Sequence, residues 1–172
     1  MDRYQKLAQQ SIEYYFRNKK ALPLPDDLSL EMLKNKAGVF VSLHKSDHSL
    51  RGCIGTLLPT KNNMAEEIIH NALSAAFHDN RFYPLEEDEL KDLVISVDVL
   101  SEPEPINSPE KLDTKKYGVI VQTKDGRSGV LLPNLDGIDT VEKQISIACQ
   151  KGRIDPGHDK ILLFRFTVER HE

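Results

Sequence analysis

Leu50-Arg51-Gly52-Cys53-Ile54-Gly55-Thr56 sets one cysteine between two glycines, with an arginine two positions ahead of it. Glycine inside a strand pattern packs no side chain and costs backbone entropy, so such a pair marks a bulge or a close backbone approach. Upstream, Gly38 to Leu43 is β-branched and aromatic, which reads as a strand. The polar turn Lys45 to Ser49 joins the two runs as a hairpin, and Leu57-Leu58 with Pro59 closes the second one. Downstream, Asn63 followed by Glu66 has the capping-box spacing and opens a helix. Its inner face would be Met64, Ile68, Ala72, Ala75 and Ala76, small enough to bring the helix close to a sheet. It should stop near Asp79-Asn80, before Arg81-Phe82-Tyr83-Pro84.

The same reading extends outward in both directions. Tyr4, Leu7, Ala8, Ile12, Tyr15 and Phe16 follow helical spacing over residues 3–18, and Pro23 and Pro25 then enforce an extended linker. Residues 30–37 read as a short helix or turn. Leu93, Ile95, Val97 and Val99 alternate with a more mixed set, as in a half-buried antiparallel strand. Pro103, Pro105 and Pro109 make residues 101–114 a loop. Tyr117 to Thr123 and Ser128 to Leu132 flank Asp125-Gly126, a hairpin. Asp139 with Glu142 predicts a third helix cap and Gly152 its stop, and Ile161 to Val168 reads as a last strand. Strands that pair by hairpins with helices inserted singly give an α+β class: antiparallel sheets with helices packed on one face. The expected organisation is one domain over residues 1–172, or two interlocked lobes within it.

Composition narrows the functional classes. Net charge −4 gives no electrostatic case for nucleic acid or an anionic membrane. No apolar run reaches spanning length, and the first residues lack the apolar stretch of a secretion signal. Cys53 and Cys149 form neither a disulfide framework nor a zinc spacing, which suits a reducing cytoplasm. His158-Asp159 and Cys149 are isolated, so no metal set emerges. Glu86 to Glu89 reads as a solvated charge run. Asp125-Gly126-Arg127-Ser128-Gly129 lacks the strand-then-helix context of a phosphate loop.

The heptad resembles the signature of the AMMECR-like domain family, and the likeness continues through several further stretches. These are Gly38-Val39-Phe40-Val41, Asn71-Ala72 to Ala75-Ala76-Phe77, and Asp79-Asn80-Arg81-Phe82 with Pro84-Leu85. Glu102 to Ile106, Tyr117 to Val121 and Gly129 to Pro133 complete it, so it covers nearly the whole chain. The resemblance implies a two-lobed α+β fold. It also implies the role of protein A of the AmmeMemoRadiSam system, with a Memo-type protein and a radical S-adenosylmethionine enzyme as partners. It supplies no settled activity, and any cofactor is left open. Beginning at its own Met1, the chain reads as the stand-alone form or as an excised domain.

Within that pattern Cys53 is the candidate catalytic thiol, because a functional cysteine needs cations or oriented amides nearby. Arg51 shares its strand face by alternation, and Gly52 and Gly55 would let a ligand reach the backbone. The competing reading is a small core hydrophobe. A cysteine nucleophile calls for a base, and His78 beside the second motif is the candidate, ahead of His44, His48 and His70. None of these histidines belongs to the family's pattern, which counts against a Cys–His hydrolase. Arg81 offers a guanidinium fork for a carboxylate or phosphate, with Phe82 beside it; alternatively it pairs with Asp79 to lock the loop. The expected substrate-binding set is therefore Arg51, Gly52, Gly55, Arg81 and Phe82, around Cys53. Two functions compete. One is a cytoplasmic enzyme or enzyme subunit acting on a small anionic metabolite. The other is a non-catalytic scaffold for the Memo-type protein, in which the heptad is structural.

Overall fold

The structure, a computed structural model, describes residues 1–172. In chain order the elements are α1 (Arg3–Asn18), α2 (Leu30–Lys34), β1 (Gly38–His44), β2 (Leu50–Thr56), α3 (Met64–Phe77), β3 (Val94–Leu100), β4 (Glu104–Ile106), β5 (Gly118–Thr123), β6 (Ser128–Leu131), α4 (Val141–Lys151), β7 (Ile161–Phe166) and β8 (Val168–His171). Single 3₁₀ segments cover Glu87–Asp92 and Pro109–Lys111. The fold is α+β, with two antiparallel sheets. Two compact units result: Met1–Leu100 with Glu169–Glu172, and Ser101–Val168. No helix is long and apolar enough to cross a membrane.

In the first unit the sheet order is β2-β1-β3-β8, with β1 antiparallel to both β2 and β3. Alternation along β1 sends Val39, Val41 and Leu43 to one face, where Ile95 and Val97 of β3 join them. Leu7, Ala8 and Ile12 of α1 and Ile68, Ala72 and Ala75 of α3 cover that face and complete the core. The opposite face carries Phe40, Ser42 and His44, with Gly55 and Cys53 across from the first two on β2 and Asp98, Ser96 and Val94 on β3.

Two local devices hold the helices in place. Asp2 caps α1, accepting from the Tyr4 and Gln5 amides, while the Gln5 side chain accepts from the Asp2 N–H. Asn63 caps α3 through the Glu66 amide, but the Glu66 carboxylate takes the Asn62 N–H, so the expected box is only half formed. The neighbouring Glu67, with no exposed surface, organises the β2–α3 connection instead. It accepts from Thr56 Oγ1 at 2.5 Å, Thr60 N at 2.7 Å, Thr60 Oγ1 at 2.9 Å and Lys61 N at 2.8 Å. Burial pushes this carboxyl up, but those bonds outweigh it and hold it below its ordinary range.

In the second unit the order is β4-β7-β5-β6, and α4 lies on the face lined by Val119, Val121 and Leu131. Three expectations are corrected here. Residues 101–114 contain β4, which pairs with β7 from Glu104 to Ile106, so Pro105 sits on an edge strand where its missing N–H costs least. The cap of α4 is Thr140, accepting from Lys143 N at 3.2 Å, rather than Asp139. Ile161 to Val168 is two strands, because the chain breaks at Thr167, whose N–H and C=O both bond Ser101, and β8 joins the first sheet.

Candidate functional site

β2 is the edge of its sheet, so alternate backbone groups on it have no strand to pair with. At Cys53 these groups are taken by the second motif. The Cys53 N–H donates to Asp79 Oδ2 at 2.9 Å, and the Cys53 carbonyl accepts from Arg81 Nη2 at 3.2 Å. Asp79 is buried and itself grips Arg81, through Nε at 3.0 Å, Nη2 at 2.7 Å and the Arg81 amide at 3.1 Å. The Arg81 guanidinium, bonded to the Asp79 carboxyl, keeps it well below the usual carboxylate range. Asp79 and Arg81 thus stand in for a neighbouring strand at one residue.

Because the Cys53 amide and carbonyl point away from β1, Cys53 and Ser42 form a non-hydrogen-bonded pair, the type whose side chains approach most closely. Ser42 Oγ donates to Cys53 Sγ at 3.2 Å. Ser96 lies beyond Ser42 in the same cross-strand row, so the thiol heads a row of two hydroxyls. One row along, Asp98 on β3 is buried and bound by Arg170 of β8 through Nε at 2.8 Å and Nη2 at 2.9 Å. Cys53 itself is half-buried, and neither it nor Cys149 is in a disulfide. Burial pushes the Cys149 thiol up.

The other sequence candidates are distributed as follows. Arg51 is buried and committed: Nε and Nη2 bind Glu89 at 2.7 and 2.9 Å, and the remaining donors reach the carbonyls of Tyr83 and Pro84. The Glu86–Glu89 run is therefore not simply solvated, since Glu89 is the counter-ion of a buried arginine, and that bond lowers its carboxyl. Gly52 is where the sheet meets α3, for a Cβ there would lie 2.2 Å from the Ala75 carbonyl oxygen. Gly55 lies under the Phe40 ring, which a Cβ would meet at 2.1 Å. Arg81 is half exposed, and its guanidinium sits 5.5 Å from the centre of the half-buried Phe82 ring. His78 is the exposed cap at the end of α3, and no hydrogen bond joins it to Cys53. No three His, Cys, Asp or Glu side chains converge as a metal would require.

The family model described as AMMECR1 matches residues 5–171. A protein of Thermotoga maritima is 51% identical over 169 residues, 98% of this chain and 97% of its own length. A protein of Clostridium acetobutylicum is 49% identical over 172 residues, which are 99% of this chain but 36% of that longer relative. Among solved structures, an uncharacterised protein of Pyrococcus horikoshii superposes with a TM-score of 0.86 at 32% identity, over 97% of this chain and 88% of that one.

Proposed function

The chain belongs to the AMMECR1 family, and on that premise we propose that it is a thiol-bearing enzyme or enzyme subunit acting on a small anionic metabolite, with Cys53 as the reactive group. One observation carries this reading. The fold fixes both backbone groups of Cys53 with Asp79 and Arg81, yet leaves its side chain half-buried against a single hydroxyl. A cysteine needed only as core filler requires no such clamp. The half-exposed Arg81 guanidinium is the cation that would meet a carboxylate or phosphate beside the thiol, with Phe82 beneath it. Arg51 is left out of the binding role, because all of its bonds to Glu89 and the two carbonyls would have to break first. In the cytoplasmic setting that the cysteine usage suits, the metabolite would pass among this protein and the partners that the family resemblance implies, a Memo-type protein and a radical S-adenosylmethionine enzyme.

The test is protection of Cys53 from alkylation by small dianions such as malonate or inorganic phosphate. Protection that saturates with concentration, and that Arg81→Ala abolishes, supports the reading. Labelling that these anions leave unchanged would count against an anion site. A second reading has its own support: Arg51, Gly52 and Gly55 are all consumed by packing and pairing, as a structural heptad in a scaffold for the Memo-type protein requires. It is favoured if Cys53→Ala leaves binding of that partner intact.

A further inference from the structure

Two arginines in the first unit are held in the same way. Arg81 presents Nε and Nη2 to Asp79, at 3.0 and 2.7 Å, and Arg170 presents Nε and Nη2 to Asp98, at 2.8 and 2.9 Å. Both aspartates are buried, whereas the arginine side chains keep 54% and 39% of their surface in solvent. In neither guanidinium does Nη1 bond another group of the chain. Burying a carboxylate is costly, and a partner so exposed offsets that cost poorly. What each pair gains is direction, for a side-on carboxylate fixes the plane of the fork and leaves its remaining donors free.

The two forks stand on either side of Cys53. Arg81 bonds the Cys53 carbonyl from beyond the edge of β2, and Arg170 comes from β8, at the opposite edge of the sheet. Asp98 lies on the same sheet face as Cys53, two strands over and two residues along. Strand spacing puts the α-carbons of Cys53 and Asp98 about 12 Å apart. Between them lie Ser42 and Ser96, both half-buried. The electrostatics agree. The bond to Asp98 raises the Arg170 guanidinium above its ordinary value against burial, and the charges of Asp98, Glu172 and Cys53 add to it. The bond to Asp79 raises Arg81 likewise, with Asp79 and again Cys53 contributing. Cys53 is thus within electrostatic reach of both cations.

We propose that Arg170, oriented by Asp98, binds a second anionic group of the ligand whose first anionic group Arg81 receives beside Cys53. This rests on the reading of Cys53 and Arg81 given above, and it narrows the substrate class. The ligand is an elongated compound with an anionic group at each end, such as a dicarboxylate or a phosphorylated acid. Its middle lies over the Ser42 and Ser96 hydroxyls, which suits a polar, hydroxylated chain. Asp98 is a positioning residue.

The experiment measures how acids protect Cys53 of the full chain from iodoacetamide at one pH. Adipate and suberate are the two-ended probes, hexanoate and octanoate their one-ended counterparts, and malonate is too short to reach both arginines. One of the two long diacids should protect at a concentration roughly fivefold below that of its counterpart, as an added exposed ion pair allows. Asp98→Asn combined with Arg170→Gln removes the cation without stranding a buried carboxylate, so that advantage should vanish while malonate protects as before. Arg170→Lys, whose ammonium still neutralises Asp98 but offers no fork, should shrink it. An advantage missing from the wild type, or undiminished in either variant, would overturn the role of Arg170 and leave the pairing of Cys53 with Arg81 standing. Failure of malonate to protect the wild type would bring down that earlier reading and this one with it.

Discussion

Removing the Asp79 carboxylate should damage this fold out of proportion to the size of the change. Asp79→Ala leaves the Cys53 N–H, on a sheet edge already covered by the 79–85 segment, without an acceptor. An unsatisfied buried amide costs about 1–3 kcal/mol. The ion pair with Arg81 adds less, about 0–1 kcal/mol, because that guanidinium is 54% exposed to solvent. Together they come to about 1–4 kcal/mol, which for a chain of this size lowers Tm by roughly 2–16 °C. Urea unfolding followed by circular dichroism measures the cost. Arg81→Ala run alongside should lose only about 1 kcal/mol, since Asp79 would still accept the Cys53 amide. Equal losses in the two variants, or a loss below about 1 kcal/mol in Asp79→Ala, would refute the claim that the amide bond dominates.

Gly52→Ala forces a methyl to 2.2 Å from the Ala75 carbonyl, so β2 and α3 must separate; a loss at or above the upper end of about 1–3 kcal/mol is expected by the same unfolding assay. Gly126→Ala, whose φ of +90° is the only obstacle, should cost nearer 1 kcal/mol. Glu89→Ala strands the buried Arg51 cation and should cost about 2–4 kcal/mol, whereas Lys91→Ala in the same 3₁₀ segment should cost little. The lowered carboxyls of Glu67, Asp79 and Glu89 contribute stability that is fully present above the ordinary carboxylate values, near pH 4, and is lost as pH falls through their depressed folded values. An acid titration of ΔG should therefore fall steeply below about pH 4, and Glu67→Gln should flatten it.

Much of the fold was legible because local signals and tertiary packing agree. The alanines of α3 and the alternation of β1 and β3 read directly as the buried faces that they form. The hairpin at Asp125-Gly126 and the stop of α4 at Gly152 were equally plain, although the left-handed residue after α4 is Arg153. β4 was hidden by its prolines, and the switch of sheets at Thr167 was invisible because the apolar pattern runs on through Val168. At the site, the two motifs pointed to each other in sequence, but the bond between them runs through backbone groups of Cys53 that no side-chain pattern encodes. Ser42 follows only from the hairpin register, and Glu89 was disguised as one acid among several. Arg170, next to the end of the sequence, carried no signal until β8 was seen beside β3.

The central claim is that the clamp holds a usable thiol at Cys53. It is tested most directly by alkylating the native protein with iodoacetamide and mapping the label by peptide mass spectrometry, with the buried Cys149 as the internal reference. Cys53 should react in the folded chain many times faster than Cys149, and Asp79→Ala should change its rate. Labelling of Cys53 only after denaturation, in step with Cys149, would contradict the claim and reduce the thiol to core packing.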